Sequence, residues 1–181
     1  AINFKSNVRT KKRITNSDAH KYYLKANKYI EKWELDEAEI FLNKAIEIDS
    51  TFISARSRLS FIYGVTNRDE KKINYSLETL ELARTLNDSL AVGYCLTRLG
   101  FYYSISGEHD KSIDFQNKAL VIAKDLDNIN LLMTVYHNFG YCYASKGNYI
   151  KSIESFLNIK NKNEFKNYKV FDYRITDQLI L

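Results

Sequence analysis

Proline is missing altogether from the 181 residues, and glycine occurs only 6 times. Folds that depend on proline-bearing or glycine-rich tight turns, such as sandwiches and barrels, are disfavoured by that shortage. Cysteine is scarce as well. Cys95 and Cys142 lack the spacing of a disulfide framework or a zinc ligand set. Each sits in an apolar helical stretch and reads as a small buried side chain. No run of about 18 apolar residues occurs, so nothing spans a bilayer as a helix. The opening Ala-Ile-Asn-Phe-Lys-Ser-Asn carries neither an initiator Met nor the apolar stretch of a secretory signal, and reads as the start of a fragment or processed product.

Catalytic signatures are lacking too. The three histidines, His20, His109 and His137, lie far apart without carboxylates at metal-ligand spacing. There is no G-x-G-x-x-G, G-K-[ST], H-E-x-x-H or G-x-S-x-G run. The acidic residues are spread over helix faces, as in Glu34-Leu-Asp-Glu37, and form no acid–base pair. The expectation is a protein that is not an enzyme and uses no cofactor and no metal.

What is present points to a packed helical chain. Hydrophobic residues make up 45%, ordinary for a folded protein. The 14 Tyr and 10 Phe require regular interfaces to pack in. The net charge of +5 has one location. Lys5, Arg9, Lys11, Lys12 and Arg13 all precede the first acidic residue, Asp18; subtracting those five from 27 basic residues leaves 22 against 22 acidic ones. Residues 1–16 therefore read as a basic arm or linker on a balanced body, not as a nucleic-acid contact.

The body repeats itself. Leu99-Gly-Phe-Tyr-Tyr-Ser-Ile-Ser-Gly107 aligns with Phe139-Gly-Tyr-Cys-Tyr-Ala-Ser-Lys-Gly147, and Asp110-Lys-Ser-Ile with Ile150-Lys-Ser-Ile, all in one 40-residue register. Ala38, Leu42 and Ala45, preceded by Tyr22, Ala26 and Tyr29, show a looser version. Another unit runs from Phe52 through Leu59, Ser60 and Tyr63 to Ser76, Leu80 and Ala83. In it the stretch Val65–Ile73 reads as about four residues longer than its counterparts. Gly100 and Gly140 fall mid-helix, at a cost of about 1 kcal/mol against alanine. That cost implies close helix approach. Gly107 and Gly147 fall where a left-handed C′ residue ends a helix, and Asp110 and Asn148 where a side-chain oxygen caps the next.

This alternation of large and small residues on paired helices resembles the tetratricopeptide repeat (TPR) over roughly residues 18–160. The longer unit is similar to that of bacterial peptide-sensing regulators, kinesin light chains and cell-polarity adaptors. The resemblance implies an all-α fold, a right-handed superhelical solenoid of antiparallel helix pairs with about four repeats. Helices are expected at 18–32, 35–48, 52–65, 69–87, 89–105, 109–126, 129–145 and 149–160. The array occupies 17–162, in units of about 18–50, 52–88, 89–128 and 129–162. Residues 163–181, with Phe171, Ile175 and Leu179 on one face, form a capping helix or a truncated fifth repeat. Self-association through that apolar end is a further expectation.

In such an array the first helix of each pair lines a concave groove. Its expected lining is Tyr23, Asn27 and Ile30, then Ser57, Arg58 and Phe61, then Tyr94, Thr97, Arg98 and Phe101, then His137, Asn138 and Tyr141. Amide side chains can hold a peptide backbone through both its N–H and C=O, arginine can grip a carboxylate, and aromatics can anchor apolar groups. By resemblance, Asn138 stands where peptide-sensing relatives grip backbone. Asn27 and Arg98 match two places of a carboxylate clamp, whereas Tyr23 and Tyr94 replace its lysines. The function expected is a scaffold or adaptor that holds an extended peptide. The alternative is the regulatory or sensor domain of a larger bacterial signalling protein, a kinase, cyclase or transcription regulator. Two unpaired cysteines favour a cytoplasmic location, with a processed periplasmic sensor domain as the other possibility.

Overall fold

The computed structural model describes residues 16–66 and 68–160. Among them are eight helices: α1 (Ser17–Glu31), α2 (Leu35–Ile48), α3 (Ile53–Val65), α4 (Asp69–Thr85), α5 (Ser89–Ile105), α6 (His109–Asp125), α7 (Ile129–Ser145) and α8 (Tyr149–Lys160). Every end lies within two residues of the position expected from sequence. The described part is all-α, a stack of antiparallel helix hairpins. The basic arm over 1–15 and the expected capping segment over 163–181 lie outside the described residues.

The helix ends follow from local chemistry. Asn16, Asp88, Asn128 and Asn148 each accept a backbone N–H of the following first turn, at 2.9, 3.0, 2.8 and 3.1 Å. Gly107 and Gly147 adopt φ of +80° and +76° and close their helices, each passing the chain on to a bond from the next amide back into the last turn. Trp33, Asn87 and Asp127 do the same work at φ 62°, 52° and 46° without glycine's freedom. One expected cap fails. Glu108, not Asp110, precedes α6, and Asp110 sits inside its first turn, where it accepts from Lys146 Nζ at 2.6 Å. That ion pair holds the Asp110 carboxyl below its usual range.

The hairpins α1/α2, α3/α4, α5/α6 and α7/α8 are each closely packed, and α5 also packs on α3 and α7. No comparable packing joins the described even helices to one another, so the odd helices form the more closely spaced layer and are taken as the inner ones. Ala26, Ala38, Leu42 and Ala45 are fully buried in the first core, joined by Leu59 and Ile62. A second core gathers Leu80, Cys95, Leu96, Leu99, Ala119, Val135 and Phe139. Arg68 joins the first two repeats, pairing with both carboxylate oxygens of Glu39 at 3.1 and 2.6 Å.

One meeting point recurs at a separation of 16 residues within the last three hairpins. Ser60 touches Ser76 at 2.5 Å; a Cβ on Gly100 would strike Gln116; a Cβ on Gly140 would strike the Phe156 ring. This corrects the reading of Val65–Ile73. α3 ends at Val65 and α4 begins at Asp69, the same spacing as between Ile105 and His109, so nothing is inserted. The second repeat already obeys the 40-residue register, and its difference lies at the start of α3, where Asp49-Ser-Thr-Phe52 forms a turn held by the Asp49 carboxylate.

Candidate functional site

The glycine seam positions the rest. Gln116, fully buried, extends beneath Gly100 and donates to the Thr97 carbonyl at 3.0 Å. Asn138 donates to the same carbonyl from α7 at 3.2 Å. One backbone oxygen of α5 thus ties three helices together. Asn138 is only 9% exposed, so its amide is engaged between repeats. A similar tie joins α3 to α5: the Tyr102 hydroxyl donates to the Ser60 carbonyl at 2.7 Å and lies 3.3 Å from the Ser60 hydroxyl.

Around these ties, residues in the 40-residue register form rows on the inner helices. Arg58, Arg98 and Asn138 make one; Phe61, Phe101 and Tyr141 make the next. Arg58, Phe61, Arg98, Phe101 and Tyr141 are all half-buried. Phe101 and Tyr141 meet with ring centroids 5.6 Å apart. Phe61 meets the exposed Trp33 edge-on at 6.5 Å. Tyr94 lies toward solvent at the start of the third repeat. His137 places its ring edge-on to Phe156 at 6.1 Å, with Nδ1 3.5 Å from Asn138 Oδ1.

In the first repeat, Tyr23 tilts against Phe52 at 5.1 Å and joins the core, while the buried Asn27 Oδ1 has no hydrogen-bond partner. The structure therefore brings Phe101 and Tyr141 together across repeats three and four and joins Asn138 to α5, whereas His137 meets Phe156 of α8. Tyr23 and Asn27 belong to a separate cluster. Burial pushes the Cys95 thiol up to about 11, and nearby Arg98 pulls the other way. Both cysteines are buried and free, as expected.

Trp33 and Gln116 were missed by sequence reasoning, and a glutamine at a core register position opposite a mid-helix glycine was the available signal for Gln116. Thr97, expected in the groove lining, is instead buried, with its carbonyl taken up by Gln116 and Asn138. Among the described residues no group of three or more His, Cys, Asp or Glu could hold a metal ion, and no helix is long and apolar enough to cross a membrane.

The tetratricopeptide repeat family model matches residues 19–52 and 134–159, the hairpins α1/α2 and α7/α8. These first and last hairpins are tetratricopeptide repeats. Solved structures with the same fold include BtubC (BKLC) from P. vanneervenii, at TM-score 0.67 and 21% identity, covering 78% of this chain and 61% of that one. A Rap protein complexed with Competence and Sporulation Factor has TM-score 0.70 at 16% identity, over 81% of this chain and 43% of that one. The TPR-like repeats of a putative kinesin light chain from Podosopora anserina give 0.62 at 11% identity, over 77% and 72%. Identities this low establish the TPR fold alone. The chain spans less than two thirds of the length of the first two of these structures. Compared with curated proteins by sequence, it finds no match.

Proposed function

We propose that this TPR array is a non-catalytic scaffold that holds an extended peptide segment of a partner protein along its inner helices. The observation that carries the reading is the paired rows on α3, α5 and α7, cationic or amide residues at 58, 98 and 138 beside aromatics at 61, 101 and 141. Half-buried aromatic rings offer apolar anchors whose rigidity limits the entropy lost on binding, and arginine adds charge-assisted bonds. The Rap complex supports it by analogy, since that structure holds a factor on the same fold. With Asn138 already bonded to Thr97, the gripping role falls to Arg58, Arg98, Phe101 and Tyr141.

Selection of a displayed random-peptide library on the full chain tests this. Enriched peptides are expected to lose binding to the Arg98→Glu and Tyr141→Ala variants and to keep it with Lys118→Glu, an exposed residue of α6. Peptides that bind all three variants equally would move the site off the inner helices. The second reading, a sensor domain of a larger signalling protein, rests on the basic residues at 5–13, which suit a linker to an output domain. A parent reading frame without such a domain would remove it. The two free thiols fit a reducing cytoplasmic compartment.

A further inference from the structure

Trp33 stands in a turn built for glycine. The hairpins α5/α6 and α7/α8 turn on Gly107 and Gly147. The α1/α2 turn repeats their bonds, from the Trp33 amide to the Ile30 carbonyl and from the Glu34 amide to the Tyr29 carbonyl, both 2.9 Å. At φ 62° a bulky residue is an outlier, where glycine would sit without strain. Burial offsets little of that cost, since Trp33 remains 42% exposed. Strain kept where the core gains little points to a role outside the core.

The surroundings say which role. The indole stands edge-on to Phe61 at 6.5 Å, the first ring of the row that Phe101 and Tyr141 continue. Arg58 lies one turn from Phe61, on the same face of α3. Charge on these helices has one sign. α3, α5 and α7 contain Arg56, Arg58 and Arg98 and no Asp or Glu, whereas α2, α4, α6 and α8 all carry acidic residues. Half-buried guanidinium groups on a layer without carboxylates suit an acidic ligand.

We propose that Trp33 is a partner-binding residue and that the segment held along the inner helices is acidic, setting an apolar side chain against the Trp33–Phe61 pair and a carboxylate on Arg58. This rests on the peptide reading of those helices and names the chemistry of what they take.

Peptides enriched from a displayed random library on the full chain, then synthesised, are the probe, and calorimetric titration gives their affinity. Those that lose binding to Arg98→Glu are expected to carry Asp and Glu at about twice the library frequency and to bind Trp33→Gly about tenfold or more weakly. Trp33→Gly is expected to unfold at the same or a higher urea concentration than the unaltered chain, because glycine relieves the left-handed residue. Weaker binding without lost stability separates a contact from a structural prop. Arg98-dependent peptides that bind Trp33→Gly at full strength, or that carry no excess of acid, would overturn the proposal and leave the scaffold reading intact. A lowered urea midpoint in Trp33→Gly would overturn it as well, by making the indole structural. Displacement of the peptides by an equal concentration of a single-stranded oligonucleotide would overturn it in favour of a phosphate polyanion. If no enriched peptide depends on Arg98 or Tyr141, this proposal and the scaffold reading fall together.

Discussion

Replacing Gly100 with alanine isolates the seam between α5 and α6. Leaving glycine's helix penalty behind would by itself stabilise by about 1 kcal/mol. The new methyl, however, would lie 2.4 Å from Gln116 Nε2 and 3.0 Å from its Cδ. Overpacking of a closed seam costs about 1–3 kcal/mol. Expelling the buried amide from its bond to Thr97 adds about 1–3 kcal/mol for a polar group left without a partner. The net expectation is a loss of about 3 kcal/mol, which at an ordinary urea slope lowers the midpoint by about 1–3 M. The sign should change when Gln116 is already alanine. The nearest atom left is then the Ser112 carbonyl oxygen at 3.1 Å, a contact that a small shift relieves. In that background Gly100→Ala should be neutral or stabilising by up to about 1 kcal/mol. Four urea titrations followed by helical circular dichroism give the coupling directly. An equal loss in both backgrounds would refute the reasoning, because Gln116 would then not be what the methyl meets.

Other consequences can be measured in the same way. Tyr102→Phe should cost about 1–2 kcal/mol, since it removes the donor to the buried Ser60 carbonyl; an unchanged urea midpoint would show the tie to be inert. Gly147→Ala should destabilise by about 1 kcal/mol because φ there is +76°, while Asp127→Gly, at φ 46°, should not; thermal unfolding separates the two. The Cys95 thiol, pushed up to about 11 by burial, ionises later in the folded chain than in the unfolded one. Its contribution is therefore whole below about pH 9 and is lost as pH rises toward about 11, so stability should fall over that window and fall less in Cys95→Ala. Equal slopes for the two proteins in urea titrations between pH 8 and 10.5 would contradict the assignment.

Much of the fold was legible because it is written locally. Apolar residues at helical spacing, the cap residue Asn148, and left-handed glycines at 107 and 147 place helix ends without tertiary information. The 40-residue register then stacks them. What stayed hidden depends on partners across helices. Asn138 shows its amide in the sequence, but only packing reveals the Thr97 carbonyl that occupies it. Gly140 announces a close approach, whereas the Phe156 ring that fills the space comes from another helix. The extra length expected in Val65–Ile73 is absent, and the second repeat differs instead in the turn before α3, a helix four residues shorter at its start than α5.

Three hairpins share one architecture yet meet through different chemistries: hydroxyl against hydroxyl at Ser60 and Ser76, hydrogen against amide at Gly100 and Gln116, hydrogen against ring at Gly140 and Phe156. In a chain of near-copies the hazard during folding is mispairing, with one unit's helix taking a neighbour's mate. Here a wrong pairing is penalised. Phe156 opposite Ser60 would bury a hydroxyl against a ring, and Ser76 opposite Gly100 would leave a void where Gln116 belongs. Each hairpin thereby carries its own address, and the order of the stack is set by which partners its seams reject.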